Sequence, residues 1–369
     1  MRVKETRAIL TTVSKASCTR IFAALLALLI ACSQQTQLPV DAHPSPPSKA
    51  EATSENAPAS GLPLRTIADV PLTGGTTRLD YQSLDSGTGR LYIAHLGSDL
   101  MTVFDVKKQT IVGDVKDLKR VHGVLAVPEL HRVYASATGT NELAVIDEQN
   151  LAIVARAPAG DYPDGIAYAS KENKLYVSDL HGKTDTVIDA KTNQRLTTIE
   201  LGGGAGNSQY DATSDRIFVT VDGREELAEI DPGTDQVVGR YPLTGCKGSH
   251  GLLIDSEHRL AFAACEENSK LVVFDLQSKK ATVALAVGAD PDVLAFDTDL
   301  HRLYVSAESG NIAIYDERDR SLEKVFVGFF VANAHTVAVD SRTHRVYWPL
   351  QNVGGQPVLR ITMPTGKAL

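Results

Sequence analysis

The sequence predicts an all-β protein, a seven-bladed β-propeller built from four-stranded blades. A short motif, a basic residue followed by β-branched, aromatic and small residues, recurs seven times and starts at Arg90, Arg132, Lys174, Arg216, Arg259, Arg302 and Arg345. These starts are 42, 42, 42, 43, 43 and 43 residues apart. The repeats show no helical periodicity. Short strand-like runs at such a period are typical of propeller blades.

Each repeat contains four predicted strands in a fixed order. An inner strand such as GVLAV, residues 123–127, precedes a turn and the motif strand. A third strand ends in an aspartate, and a polar turn leads to the fourth strand. The aspartates are Asp105, Asp147, Asp189, Asp231, Asp275 and Asp316. Aspartate side chains accept hydrogen bonds from the backbone of a following turn, so we expect each one to cap a hairpin.

The N-terminal strand is predicted to close the ring. The last repeat stops after VLRITMP, residues 358–364, and lacks a fourth strand. Upstream of the first repeat, RTIADVPLTGG matches the fourth strand of repeat four, QVVGRYPLTGC, with Pro-Leu-Thr-Gly at 71–74 and at 242–245. An open array of blades leaves an unpaired strand edge. We therefore expect the N-terminal strand to complete blade seven.

The motif strand is similar to the YVTN repeat, and the similarity runs from about residue 63 to the C-terminus. This resemblance implies a seven-bladed propeller of a kind that is common in bacterial envelopes. Proteins of this kind include binding proteins and surface-layer components. The resemblance therefore implies an architecture and leaves the activity to be argued from the site.

The N-terminal region is predicted to export and anchor the chain. Residues 1–31 combine basic residues with the apolar run IFAALLALLIA, which has the length of a signal-peptide core. The sequence LIAC resembles a lipoprotein lipobox, which implies that Cys32 is lipidated. Ser33 favours, by resemblance to known sorting, the periplasmic side of the bacterial outer membrane. Residues 32–62 are rich in Pro, Ser and Ala and predict a disordered tether, and residues 63–369 form the propeller.

The charge of the chain argues against nucleic acid as a partner. The sequence has 37 basic and 45 acidic residues, a net charge of −8, and removal of residues 1–31 leaves 32 against 44, or −12. Binding to a phosphate backbone needs clustered Lys and Arg. We expect contact with a membrane only through the lipid anchor.

Two cysteines, Cys246 and Cys265, remain in the predicted propeller. An even pair of cysteines in an exported protein predicts a disulfide. A bridge that closes a loop of this length is expected to stabilise the fold by about 3 kcal/mol.

A ring of polar residues is predicted at one mouth of the central channel, where the inner strand of each repeat begins. The seven residues are Asp80, His122, Asp164, Asn207, His250, Asp292 and His335. His95 and His181 lie in loops after motif strands and are expected on the rim of the same mouth. Three interpretations remain open. The ring caps the inner strands, binds a small ligand or an envelope protein, or holds a divalent metal. The candidate metal ligands are His122, His250, His335, Asp164 and Asp292.

We interpret four other histidines as structural. They are His131, His258, His301 and His344, and each precedes the basic residue of a motif strand. The turn that contains them is predicted on the face opposite the ring. Recurrence at one turn position of a repeat indicates a role in the turn itself.

The sequence favours a binding or scaffold protein without a cofactor over an enzyme. The motifs of α/β-hydrolases, zincins and c-type haem attachment are absent from the sequence. The competing hypothesis is a hydrolase or lyase, comparable to lactonase-type propellers, that depends on a divalent metal at the ring. In that case His250, His122 or His335 is the candidate general base.

Overall fold

The computed structural model describes residues 58–365, so the predicted signal peptide, Cys32 and most of the predicted tether lie outside the described residues. The described chain folds into seven four-stranded antiparallel sheets arranged as a ring of blades. The prediction of an all-β, seven-bladed propeller is confirmed. Within residues 58–365, no helix is long and apolar enough to cross a membrane.

The strands of blades one to six follow one another from the innermost to the outermost position. Strand β1 is Leu64–Pro71. Blade one contains β2 Gln82–Asp85, β3 Arg90–His95, β4 Leu100–Asp105 and β5 Thr110–Lys116. Blade two contains β6 Val121–Val127, β7 Arg132–Ala137, β8 Glu142–Asp147 and β9 Ile153–Pro158. Blade three contains β10 Pro163–Ala169, β11 Lys174–Asp179, β12 Thr184–Asp189 and β13 Gln194–Glu200. Blade four contains β14 Gly204–Asp211, β15 Arg216–Asp222, β16 Glu226–Asp231 and β17 Gln236–Pro242.

Blade five contains β18 Ser249–Asp255, β19 Leu260–Cys265, β20 Lys270–Asp275 and β21 Lys280–Ala286. Blade six contains β22 Pro291–Asp297, β23 Arg302–Ala307, β24 Asn311–Arg318 and β25 Ser321–Phe329. Blade seven contains β26 Ala338–Asp340, β27 Arg345–Val353 and β28 Gln356–Pro364 together with β1. Short 3-10 turns occupy Leu96–Ser98, Pro128–Leu130, Thr138–Thr140 and Glu266–Asn268.

The repeated motif forms the second strand of every blade and supplies much of the core. Tyr134 in β7 and Trp348 in β27 are fully buried, as expected for strands that are covered by a neighbouring blade on each face. In blades one to five the turn that follows the third strand is capped as predicted, whereas in blade six the prediction is wrong: β24 continues to Arg318, so Asp316 lies within the strand and its carboxylate accepts from Arg302. Oδ1 of Asp105 accepts hydrogen bonds from the backbone N–H groups of Lys107 and Lys108, both at 2.9 Å.

Blade seven contains strands from both ends of the described chain. Its order is β1, β28, β27, β26, and β1 pairs antiparallel with β28 from Leu64 opposite Pro364 to Pro71 opposite Val358. Contacts with the blades begin before residue 63. The backbone N–H of Ala59 donates to the carbonyl of Phe329 at 2.9 Å.

Blade five departs from the alignment of the repeats. In blade two Arg132 begins the motif strand and lies opposite Asp147, whereas in blade five Leu260 lies opposite Asp275. Arg259 is in the preceding turn with a φ of 59°. The prediction that Arg259 begins this motif strand is therefore wrong by one residue. The physical reason is the connection from β17 to β18, residues 243–248, which is longer than the corresponding connection in the preceding blade.

The same shift changes the position of one turn histidine. His131, His301 and His344 occupy the last turn position, with φ values of 51°, 50° and 56°. Arg259 holds that position in blade five, so His258 is one residue earlier in its turn. The prediction that His258 belongs to the same positional series is wrong.

Candidate functional site

Six of the seven residues predicted to form a ring lie at the start of an inner strand, at one end of the propeller. The prediction for Asn207 is wrong by one residue: Asn207 is the fourth residue of β14, and its backbone N–H bonds to Thr220 as that of Gly123 bonds to Ser136, so Gly206 occupies the ring position of blade four. We call the seven predicted residues the mouth ring. Six of them, Asp80, His122, Asp164, Asn207, Asp292 and His335, are between 1% and 5% exposed, and the side chain of His250 is 12% exposed. A polar group this deeply buried needs partners. For His250 and His335 the structure places those partners on other blades.

Hydroxyl groups of the motif strands fix the backbone of the mouth ring. Oγ of Ser136 donates to the carbonyl of Asp164 in the next blade at 2.6 Å. In the same way Oγ of Ser306 donates to the carbonyl of His335 at 2.7 Å. Each of these bonds links a buried second strand to the backbone of the ring residue in the following blade. The backbone that carries these ring side chains is therefore fixed.

Glycine allows adjacent inner strands to approach closely at the ring. A Cβ on Gly251 would lie 1.8 Å from the carbonyl oxygen of Asp292, and one on Gly123 would lie 2.1 Å from that of Asp164. Both distances are far below van der Waals contact, and only a residue without a Cβ fits. In the sequence His-Gly at 122–123 and 250–251, the histidine is therefore a ring residue, and the glycine leaves room for the inner strand of the next blade.

His335 is the centre of the first ionic cluster. Its Nε2 lies 3.2 Å from Oδ2 of Asp292 and 3.4 Å from Oδ1 of Asp80. Nη2 of Arg78 lies 3.2 Å from the same nitrogen, and Nη1 of Arg78 donates to Glu308 at 2.6 Å. These groups come from blades one, six and seven, so the cluster joins three blades at the mouth.

Electrostatics favour the charged forms of His335 and Asp80 in this cluster. Burial and Arg78 lower the pKa of His335, but Asp80 and Asp292 outweigh them and the pKa lies above its usual value. Burial raises the pKa of Asp80, yet Arg78 and His335 hold it well below its usual range. An imidazolium and a carboxylate in direct contact stabilise each other's charged form. The two carboxylates therefore favour the protonated form of His335.

His250 is the centre of a second ionic cluster that shares Asp292 with the first. Its Nε2 lies 3.3 Å from Oδ2 of Asp164 and 3.8 Å from Oδ1 of Asp292. Burial lowers the pKa of His250, but Glu266, Asp292 and Asp164 raise it well above its usual value. Burial also raises the pKa of Glu266 to about 7. The two oxygens of Asp292 thus face two different imidazoles.

His122 lies in an aromatic corner of the mouth. Its Nδ1 is 2.8 Å from the carbonyl of Arg120, to which an N–H at this position donates, and its Nε2 is 3.1 Å from the hydroxyl of Tyr162. The ring of Tyr162 stacks in turn on His181, with centroids 4.3 Å apart. Both nitrogens of His122 are engaged, so it differs from His250 and His335 in making no contact with a carboxylate at salt-bridge distance among the described residues.

Two other predicted site residues are held by local hydrogen bonds. His95 is fully buried, with Nδ1 2.9 Å from the carbonyl of Thr73 and Nε2 3.1 Å from the hydroxyl of Thr77. Burial lowers its pKa. Oδ1 of Asn207 accepts a hydrogen bond from Gln209 at 3.2 Å. The structure places His95 inside the loop packing, whereas His181 is exposed on the rim as predicted.

The sequence argument missed three residues of the site. Glu266 and Glu308 each follow a motif strand directly, in loops equivalent to those in which His95 and His181 are predicted. The hydroxyl of Tyr81 donates to Oδ1 of Asp292 at 3.3 Å. A search of those loops for carboxylates as well as histidines would have found the two glutamates. The reach of Tyr81 from blade one to blade six carries no sequence signal.

A cavity opens beside the first ionic cluster. It has a volume of about 180 Å³ and is lined by Arg78, Leu79, Glu308, Asn333, His335 and Gln351. Nδ1 of His335 is buried and makes no hydrogen bond among the residues that the structure describes, although Oε1 of Glu308 lies 3.5 Å from it. Native proteins rarely leave such a nitrogen unsatisfied. The cavity therefore offers a cation, a carboxylate and an open hydrogen-bonding position.

The predicted disulfide is confirmed and lies next to the second ionic cluster. Cys246 and Cys265 are bridged, with their Cα atoms 5.3 Å apart. Cys246 belongs to the long connection that precedes β18, and Cys265 ends β19 directly before Glu266. The bridge thus holds the loop before His250 against the strand that positions Glu266.

The fold and the site together define a seven-bladed β-propeller with an ionic network across one mouth. No family model matches the chain. Two curated relatives are similar to part of it: Protein NirF of Stutzerimonas stutzeri is 24% identical over 189 residues, 47% of this chain and 48% of the relative. Protein NirF of Pseudomonas aeruginosa is 22% identical over 183 residues, 46% and 47% of the two chains. The chain spans about half the length of the curated relatives it matches.

The architecture also occurs among solved structures. A chain of the hydrazine synthase of Kuenenia stuttgartiensis superimposes with a TM-score of 0.64, covering 80% of this chain and 97% of the other at 14% identity. At that identity the likeness shows the propeller fold alone, because one fold supports many unrelated activities.

Proposed function

We propose that this protein is a binding propeller without catalytic activity, which receives a small polar ligand, or a polar side chain of a partner protein, at the mouth ring. The observation that carries the proposal is the cavity beside His335, whose buried Nδ1 has no hydrogen-bond partner among the described residues. A ligand acceptor placed there would satisfy the protonated imidazole.

The lining of the cavity supports a polar occupant. Arg78 and His335 supply positive charge, Glu308 supplies negative charge, and Asn333 and Gln351 supply amides. At about 180 Å³ the cavity is smaller than the sites of drug-sized molecules, which occupy roughly 300–1,000 Å³. Its size suits a small zwitterion or hydroxylated acid, or one inserted side chain of a protein.

The state of the two clustered histidines supports binding rather than catalysis. A general base needs a free lone pair near neutral pH. The pKa values of His250 and His335 are raised, and each imidazole faces carboxylates that stabilise its protonated form. The mouth is therefore built as a fixed set of charges and hydrogen-bond donors.

We further propose that the propeller works outside the cytoplasm, tethered through a lipid on Cys32 at the periplasmic side of the outer membrane. The disulfide Cys246–Cys265 supports export, since such bridges persist in oxidising compartments.

The binding proposal is tested by a thermal-shift screen of a defined panel that contains amino acids, dicarboxylates, hydroxy acids and polyamines. We expect at least one compound to raise the unfolding temperature of the wild-type protein, because a ligand that binds only the folded state stabilises it. The shift should disappear in Arg78→Gln and in His335→Gln, which remove the two cations of the cavity.

Arg132→Gln is the matched control. Arg132 is also paired with a carboxylate, Asp147, at 2.9 Å, but it lies at the other end of its blade. A compound that shifts wild type and Arg132→Gln but neither mouth variant supports the proposal. Equal shifts in all four proteins would contradict it, because the ligand would then bind elsewhere.

A metal-dependent hydrolase or lyase is the second candidate function, and one observation favours it. Ligand atoms of Asp80, Asp292 and His335 lie within 4.8 Å of one another, and so do those of His250, Glu266 and Asp292. Mixed imidazole and carboxylate ligands suit divalent transition metals. The test measures divalent metal bound by untagged protein and its loss when His122, His250 and His335 are replaced together. Metal content that is unchanged in the triple variant contradicts this candidate.

A further inference from the structure

We propose a second binding site, for a transition-metal ion of the zinc class, on the face opposite the mouth ring. Its ligands are Asp255 and His258 of blade five and His301 and Glu317 of blade six, which we call the turn cluster. Strand β18 carries His250 near its first residue and Asp255 at its last, so the two sites lie at opposite ends of the same strand.

The spacing of the ligand atoms fits a tetrahedral ion. Nδ1 of His258 lies 2.8 Å from Oδ2 of Asp255 and 3.0 Å from Oε2 of Glu317, and Nδ1 of His301 lies 3.8 Å from the same Oε2. The ligand atoms of the two histidines and the glutamate all lie within 4.8 Å of one another. Zinc bonds of about 2.0–2.2 Å separate tetrahedral ligands by roughly 3.4 Å. The atoms of His258, His301 and Glu317 therefore need only small side-chain rotations to surround one ion, and Asp255, in contact with His258, is placed to supply the fourth ligand.

The shift of blade five explains why two histidines meet here. His258 is the third residue after Asp255, whereas His301 is the last turn residue before β23. The two imidazoles therefore come from different positions of adjacent turns, and their ring centroids are 5.2 Å apart.

Backbone hydrogen bonds orient both carboxylates of the turn cluster. Oδ1 of Asp255 accepts from the backbone N–H of Glu257 at 3.0 Å, and Oε1 of Glu317 accepts from that of Arg320 at 2.8 Å. One oxygen of each carboxylate is thus fixed by the backbone and the other points into the cluster. Such supporting hydrogen bonds orient metal ligands.

One nitrogen of the cluster has no hydrogen-bond partner. Nδ1 of His301 is buried and makes no hydrogen bond within residues 58–365, although Glu317 lies beside it. The side chains of His258 and His301 are 28% and 42% exposed, which gives an ion a path from solvent. A bound metal would satisfy the buried nitrogen.

The donor set selects the class of ion. Two imidazoles and two carboxylates suit zinc, and also copper, nickel and cobalt, because nitrogen ligands bind these ions well. Magnesium and calcium prefer all-oxygen sites. An ion held by two residues from each of two blades would cross-link the blades on this face.

The chain contains its own control for this proposal. In blades one and two, Asp85, Thr88, His131 and Glu148 occupy the four positions of the turn cluster. Nδ1 of His131 lies 3.8 Å from Oε2 of Glu148, the same distance as in the His301 pair. Thr88, in place of His258, donates to Asp85 at 2.5 Å. This equivalent turn has one imidazole, which leaves it one nitrogen ligand short.

The test is zinc titration of untagged, chelator-treated full-length protein by calorimetry in a competing chelator buffer. We expect wild type and His131→Ala to bind zinc at the turn cluster with equal affinity. The double variant His258→Ala, His301→Ala should lose more than about 100-fold in affinity, since loss of a group that merely orients a ligand already costs 10–100-fold. Zinc binding that is equal in the double variant and the control would overturn the proposal.

A second measurement needs no variant. In crystals grown with zinc, anomalous scattering at the zinc edge should show a peak between Nδ1 of His258 and Oε2 of Glu317. Zinc peaks confined to the mouth ring, or none at all, would contradict the site. The result is independent of the proposed ligand at the mouth, since the two sites share no residue.

Discussion

The close approach of blades five and six at the mouth can be tested by one methyl group. A Cβ on Gly251 would lie 1.8 Å from the carbonyl oxygen of Asp292, whereas real Cβ contacts begin near 3 Å. Gly251→Ala must therefore separate the two inner strands by about 1 Å at the residue that joins both ionic clusters. We expect a loss of about 1–3 kcal/mol in the free energy of unfolding, the cost of an overpacked core.

The assay is urea denaturation followed by the fluorescence of Trp348, the single tryptophan of the chain, which is fully buried. Gly113→Ala is the control, because its added Cβ would lie 3.5 Å from Cδ1 of Leu151, an ordinary contact. An alanine at such a position stabilises a protein by about 0.4–1 kcal/mol through the unfolded state. Equal stability of the two variants would refute the argument that the ring requires glycine at position 251.

Three further predictions concern the surroundings of His250. Replacing Cys246 and Cys265 by alanine should lower the free energy of unfolding by about 3 kcal/mol, measured against wild type without reductant; an unchanged midpoint would contradict a stabilising bridge. Because burial raises the pKa of Glu266 to about 7, its contribution to stability is present at low pH and is lost as the carboxyl ionises. Wild type should therefore lose stability from about pH 5 to 8, and Glu266→Gln should lose less; parallel pH profiles would count against this assignment. His250→Gln should also flatten the profile, since a raised histidine pKa contributes stability that disappears as pH rises through it; two-dimensional NMR of the imidazole would measure that pKa directly.

The architecture could be predicted from the sequence because each blade repeats one local pattern. The motif strand recurs in every blade and the capping aspartate in blades one to five, and each turn depends on residues that are adjacent in the sequence. Asn207 in blade four and Asp316 in blade six miss their predicted positions, and the alignment itself fails in blade five. There a longer connection before β18 displaces the repeat by one residue. His258 and Arg259 nevertheless have the same sequence as the His-Arg pairs of neighbouring repeats. The sequence similarity then aligns Arg259 with the first residues of the other motif strands, but the strand pairing places Leu260 at that position.

The mouth ring could be located from the alignment, but its contacts could not. The position of Asp292 follows from the repeat, whereas its simultaneous contact with His250 and His335 depends on how far side chains reach across the channel. The burial of individual side chains could not be predicted either. His95 is predicted in a loop on the rim but is the last residue of β3, and it is turned inward by Thr73 and Thr77, which its residue type alone does not reveal.

The central claim is that the mouth ring binds a ligand through Arg78 and His335. The most direct measurement is a crystal structure of the protein grown with the compound that gives the largest thermal shift in the panel. The account predicts density for that compound in the cavity, with an acceptor atom within hydrogen-bond distance of Nδ1 of His335. A cavity that holds only water in crystals where the compound is bound elsewhere would contradict the account.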